Sequence, residues 1–168
     1  MSYDRDGFEI RPGAFGAYSA NGLLHSVRDA DRISMPHRTN ESFLVAMRQC
    51  LPLAQMKLGP EVSGLGSDYF SVSAGFATHT DNDYVQALPG TFMSVWLPLV
   101  DITLKNGPLV IGGNPVLCLK GDAVLIDGDT PHRSCAGKGP RPVALFTYIQ
   151  TGKPFGPGKT QQRAEVDL

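Results

Sequence analysis

His79 and Asp81 stand two residues apart in the stretch THTDNDY, residues 78–84, which is rich in side chains that bind cations. In extended backbone, side chains alternate between faces, so the imidazole and the carboxylate share one face while Thr80 points to the other. One ion can reach both. Imidazole plus carboxylate suits Fe(II), Mn(II) or Zn(II), and a facial set of two histidines and one carboxylate needs a further histidine from elsewhere in the chain. His25, His37 and His132 are the remaining ones. The first two fall in a region of helical pattern, where an exposed or capping histidine is the ordinary explanation. His132 follows the strand-and-turn sequence GDAVLIDGDTP, with Ser134 two residues on and Arg141 nine residues beyond, at the start of the apolar run PVALFTYI. A hairpin across the intervening AGKGP would bring Ser134 and Arg141 together.

An arginine beside a metal histidine has a chemical use. The planar guanidinium binds a carboxylate through two parallel hydrogen bonds, and a nearby hydroxyl adds another. Such a pair would hold the far carboxylate of a diacid whose other end chelates the metal, and 2-oxoglutarate has that shape. Three protein ligands leave three positions of an octahedral ferrous ion open, two for the 2-oxoacid and one for dioxygen.

The elements that must position these residues are mostly strands. Nineteen glycines and thirteen prolines punctuate the chain, and the runs between them are β-branched, aromatic or alternating. The pattern predicts strands over Leu53–Leu58, Tyr69–Ala77, Thr91–Val100, Val116–Leu119, Ala123–Asp127 and Pro142–Ile149, enough for a sandwich or barrel. Thr91–Val100 is apolar on both faces, with Met93, Val95 and Leu97 on one and Phe92, Trp96 and Val100 on the other. A central strand, covered by helices outside and facing a pocket inside, fits that pattern. Helical spacing in TNESFLVAMRQC, with Thr39 or Asn40 as cap, and a segment near Leu23–Ala30 supply the helices.

Composition narrows the partners. At 168 residues and 42% hydrophobic, the chain suits one domain over residues 1–150, and the tail 151–168 loses periodicity and is expected to pack loosely. Fifteen basic against sixteen acidic residues give a net charge of −1, so no broad field favours nucleic acid or an anionic membrane. Cys50, Cys118 and Cys135 lack a CxxC spacing and read as free thiols. Neither a signal-peptide pattern nor a membrane-length apolar run is visible, so a cytoplasmic location is expected.

Four segments together, HTD (79–81), WLPLVDITLKNGPL (96–109), GDAVLID (121–127) and HRSCAGKGPR (132–141), resemble the phytanoyl-CoA dioxygenase-like family of Fe(II)/2-oxoglutarate oxygenases. The matching stretch covers roughly the C-terminal half of the chain, in the family's order. What the resemblance implies is a mainly β fold with flanking helices, the double-stranded β-helix or jelly-roll, cupin-like barrel. It implies His79, Asp81 and His132 as iron ligands, Arg141 with Ser134 as the 2-oxoglutarate clamp, and Trp96 lining the cosubstrate pocket. Lys57 is a conceivable counterpart of a basic residue that the family often carries on an early strand.

The implied activity is oxidation of an unactivated C–H bond of a small-molecule substrate by dioxygen, with 2-oxoglutarate converted to succinate and carbon dioxide. Hydroxylation is the expected outcome, and the same scaffold also supports desaturation or ring formation. Because Asp81 supplies the carboxylate, no halide position is vacated. After NGPL, however, VIGGNPVLCLKGD runs on almost directly to the second histidine segment where many members carry a long insertion. A shallow site, or one completed by a second copy of the chain, is therefore expected. Two alternatives remain: a cupin-like metalloenzyme independent of 2-oxoglutarate, and a catalytically silent binding module on the same fold.

Overall fold

The computed structural model describes residues 2–27, 30–156 and 164–168. Two short N-terminal elements, helix α1 (Tyr3–Asp6) and strand β1 (Phe8–Arg11), lead into helix α2 (Ala17–His25) and strand β2 (Arg32–Ser34). The helix expected near Leu23–Ala30 thus starts and ends earlier, and residues 28–29 lie outside the described ones. Helix α3 spans Glu41–Leu58, capped by Asn40, whose side chain accepts from the Ser42 amide at 3.0 Å.

One expectation is corrected here. Leu53–Leu58 is not a strand but the last turns of α3, despite Pro52 inside the helix. Cys50, Ala54 and Leu58 are buried at four-residue spacing and continue the stripe begun by Phe43, Ala46 and Met47. Burial of that stripe on the sheet outweighs the hydrogen bond that proline cannot donate. The buried Tyr148 hydroxyl donates to the Met47 carbonyl at 2.7 Å and ties the helix to the strand beneath.

The remaining elements are β3 (Val62–His79), β4 (Phe92–Pro98), β5 (Leu109–Ile111), β6 (Asn114–Val116), β7 (Ala123–Asp127) and β8 (His132–Gln150). Pairing is antiparallel throughout, in the order β1-β7-β4-β8-β3-β2, with β5 joined to β8 and β6 to β5. The two longest strands serve both layers. The second half of β8 lies between β4 and the first half of β3, whereas His132–Ser134 at its start pair with β5 and with the end of β3. This curled sheet is mainly β with flanking helices, as a double-stranded β-helix requires.

Each face of β4 has its own partner. Met93, Val95 and Leu97 pack under α2 and α3 with Tyr69, Leu125, Phe146 and Tyr148. Trp96 faces the interior with Phe8, Ile111, Val124, Ile126 and Val143. All seven residues of the strand are buried, which accounts for its lack of polar alternation.

The hairpin expected at AGKGP is also corrected, because β8 runs through it as one strand. Between the pairs Phe70–Val143 and Phe76–Ser134, β8 carries more residues than β3, and the excess bulges on either side of the Val72–Pro140 pair, mostly at residues 137–139. The bulge is held from outside the sheet. Lys138 donates its amide to the Lys105 carbonyl at 2.9 Å, and Cys135 to Pro108 at 3.1 Å. A Cβ on Gly137 would stand 2.3 Å from the Asn106 carbonyl carbon, so only glycine permits this approach.

At the C-terminus Val166 bridges to Gly64, Glu165 accepts from Ser63 Oγ at 2.7 Å, and Leu168 packs on the helix-side core. Residues 157–163 of the tail lie outside the described ones. Cys50, Cys118 and Cys135 are free, and burial pushes the thiols of Cys50 and Cys118 up to about 12, so both stay protonated.

Candidate metal centre

His79 closes β3 and His132 opens β8, and the two are direct partners in the ladder. Their ring centroids lie 4.5 Å apart. Asp81 begins a 3-10 turn, Asp81–Tyr84, fixed by a reciprocal cap: Thr80 Oγ1 accepts from the Asp83 amide at 3.2 Å while Asp83 Oδ2 accepts from the Thr80 amide at 3.0 Å. This abrupt end of the strand turns the carboxylate back toward the two rings. Asp81 Oδ1 sits 3.8 Å from His79 Nε2 and 3.7 Å from His132 Nε2, and one ligand atom from each residue falls within 4.8 Å of the others.

Hydrogen bonding sets which ring nitrogen faces the centre. His79 Nδ1 contacts the Ala77 carbonyl at 2.9 Å and His132 Nδ1 the Thr130 carbonyl at 3.0 Å. A carbonyl only accepts, so each Nδ1 carries the proton and each Nε2 offers its lone pair inward. Asp81 is oriented in the same manner. Its Oδ2 accepts from the Ser94 hydroxyl at 2.5 Å, which leaves Oδ1 to a cation.

Ser94 is the residue that sequence reasoning missed. A fully buried serine in FMSVWLP, on the inward face shared with Phe92 and Trp96, was the available signal. A hydroxyl in such a strand needs a partner, and the partner is a metal-site carboxylate.

Arg141 lies in the same cavity with Ser134 and Trp96. It is 2% exposed, and its Nε and Nη1 have no hydrogen-bond partner. Burial lowers its pKa to about 10, which still leaves it charged at neutral pH. The guanidinium stands 5.6 Å from the centre of the Trp96 ring. A buried cation with two idle donors is costly unless an anion completes it. Ser134 Oγ accepts from the Phe76 amide at 3.1 Å, so its own proton remains to be donated.

Two other expectations change. His37 is not exposed but buried, with Nδ1 2.7 Å from Ser67 Oγ, and it belongs neither to the ligand group nor to the lining of the cavity. Lys57 lies on α3 rather than on a strand, 2.8 Å from Glu9 and over the Tyr3 ring, and does not line the cavity.

No family model matches the chain, and no curated protein matches it in sequence. Solved structures do match in fold. The non-heme α-ketoglutarate-dependent carbocyclase SnoK from nogalamycin biosynthesis superposes with a TM-score of 0.82 at 12% identity, over 98% of this chain and 94% of that one. The epimerase SnoN, also α-ketoglutarate-dependent and from the same biosynthesis, gives 0.81 at 16% identity over 94% of this chain and 84% of its own. HygX from Streptomyces hygroscopicus, with nickel and 2-oxoglutarate bound, gives 0.77 at 15% identity over 89% and 84%. None of the described helices is long and apolar enough to cross a membrane.

Proposed function

We propose that this chain is an Fe(II)/2-oxoglutarate-dependent oxygenase of the phytanoyl-CoA dioxygenase-like type, acting on a C–H bond of a small metabolite. The observation that carries the reading is Arg141: a buried guanidinium with two unpartnered nitrogens, in one cavity with two imidazoles and a carboxylate. The donor set suits iron, and the idle guanidinium suits the far carboxylate of 2-oxoglutarate. The likeness in fold to structures that contain a metal ion and 2-oxoglutarate supports the same reading.

When bound, the ferrous ion, 2-oxoglutarate and dioxygen supply an oxidant able to remove hydrogen from an unactivated C–H bond, with release of succinate and carbon dioxide. His79 Nε2, His132 Nε2 and Asp81 Oδ1 would hold the ion. Arg141 binds the distal carboxylate of the cosubstrate and fixes which end faces the metal. Ser134 donates a further hydrogen bond, and Trp96, its ring centre 5.6 Å from the guanidinium, limits the rotation of that group. Leu109, Ile126 and Val143 line the cavity and keep water from it. Three free thiols support a reducing compartment such as the cytoplasm.

Hydroxylation is the expected product chemistry. Epimerisation or ring closure is the second reading, favoured by the epimerase and carbocyclase that share this fold. Product mass separates the three: one oxygen gained, no change, or two hydrogens lost. Under anaerobic conditions, ferrous ion plus 2-oxoglutarate should give the visible charge-transfer band of a chelated 2-oxoacid. Failure to take up iron, or an undiminished affinity for 2-oxoglutarate in Arg141→Ala, would overturn the proposal.

A further inference from the structure

The metal-site cavity has a second wall that the iron and cosubstrate residues leave unused. Phe70, Phe76 and Tyr84 line it, joined through the metal-site histidine: Phe70–Phe76 edge to face at 5.9 Å, Phe76–His79 tilted at 6.4 Å and His79–Tyr84 edge to face at 5.7 Å between centroids. Aromatic rings are ordinarily buried, yet Phe76 is 42% and Tyr84 36% exposed within this concave surface. At the end of the wall away from Tyr84, β2 places Arg32 opposite Phe70 in the ladder, with its guanidinium 5.1 Å above the Phe70 ring. Arg32 also lines the cavity, and no ion pair engages it among the described residues. The cavity has a volume of about 320 Å³, part of which the metal and cosubstrate take, and the remainder has room for a system of about two fused rings.

We infer that the Arg32–Phe70–Phe76–Tyr84 wall is the substrate subsite and takes a flat, ring-bearing molecule with an anionic substituent. The assignment rests on the proposed metal and cosubstrate reading. Flat faces against partly exposed rings remove apolar surface from water, and a planar body that stacks on one of these rings meets the edge of the next. Arg141 is committed to the cosubstrate deep in the fold, so the anionic group of the substrate meets the other cation, Arg32, at the rim. The ring nearest His79 then presents its C–H bonds to the metal.

The test uses protein loaded with zinc and saturated with 2-oxoglutarate, so that Arg141 is occupied, and reads binding by calorimetry. Three probes are titrated: 2-naphthoate, the neutral 2-naphthalenemethanol with the same rings, and cyclohexanecarboxylate, an anion without a flat face. 2-Naphthoate is expected to bind about tenfold more tightly than either of the others. Arg32→Gln should remove the advantage of the naphthoate over the alcohol, and Phe76→Leu should weaken both naphthalene probes several-fold. Both variants should keep the parent's 2-oxoglutarate affinity, which reports an intact fold. Equal binding of the three probes, absence of naphthoate binding, or an unchanged preference in Arg32→Gln overturns the assignment. A parent protein that binds naphthoate with zinc alone but never 2-oxoglutarate would overturn the cosubstrate reading while leaving the wall's selectivity in place.

Discussion

Ser94 Oγ donates to Asp81 Oδ2 at 2.5 Å, from the middle of a wholly buried strand to the first residue of a 3-10 turn. The bond fixes the carboxylate with one oxygen toward the two imidazoles. Ser94→Ala should therefore lower ferrous or zinc affinity about 10-fold to 100-fold while the fold survives. Metal titration by calorimetry, beside far-ultraviolet circular dichroism of the apo protein, reads both. Affinity equal to the parent's would show that the turn alone orients Asp81.

Arg141→Leu should act in opposite directions on binding and on stability. An uncompensated buried charge with two idle donors is removed, so the apo protein should be as stable as the parent or more so. Binding of 2-oxoglutarate should fall by about 100-fold or more, since a buried charged pair is lost. Denaturant melts of the apo protein and 2-oxoglutarate titrations of the zinc form check the two signs.

Gly137 stands where a Cβ would meet the Asn106 backbone at 2.3 Å. Gly137→Val should push the 137–139 bulge off the 105–108 loop and cost about 1–3 kcal/mol. Because Ser134 and Arg141 flank that bulge on β8, 2-oxoglutarate affinity should fall as well. A melt that moves without any loss of affinity would separate the bulge from the site.

His37 predicts an acid limit. Burial, with a smaller contribution from Arg38, lowers its pKa below the ordinary value, and its buried Nε2 has no partner. The unfolded chain takes up a proton near the usual histidine value of about 6.5, whereas the folded chain resists it. Stability from this group is thus complete above that value and is lost as pH falls through the lower folded value. In the metal-free protein, His37→Gln should show a shallower loss of melting temperature than the parent between about pH 7.5 and about pH 5.

Lys57→Met should leave 2-oxoglutarate affinity unchanged. The ammonium is engaged by Glu9 at 2.8 Å and by the Tyr3 ring, on the helix side of the sheet. A tenfold loss of affinity in a titration would return Lys57 to the cosubstrate pocket.

Short-range chemistry was legible in the chain before folding. His79, Asp81, His132, Ser134 and Arg141 announce themselves by residue type and spacing, and the two-faced apolar run 91–100 announces a strand covered on both sides. Its inward and outward faces divide as the alternation of side chains dictates. The Leu53–Leu58 segment misled because Pro52 reads as a stop, while the buried stripe Cys50, Ala54 and Leu58 that sustains the helix has meaning only against the sheet it covers.

Tertiary structure alone decided the rest. AGKGP carries every mark of a hairpin turn, yet it bulges within one strand because a loop earlier in the chain accepts the Lys138 amide at Lys105 and that of the preceding Cys135 at Pro108. Ser94 meets Asp81 only because the 3-10 turn carries the carboxylate back to the buried strand. Arg32 and Tyr84, distant in sequence, line one cavity only because β2 pairs with β3. Local residue types specify what each side chain can do; which side chains meet depends on long-range pairing, and that is a property of the closed sheet.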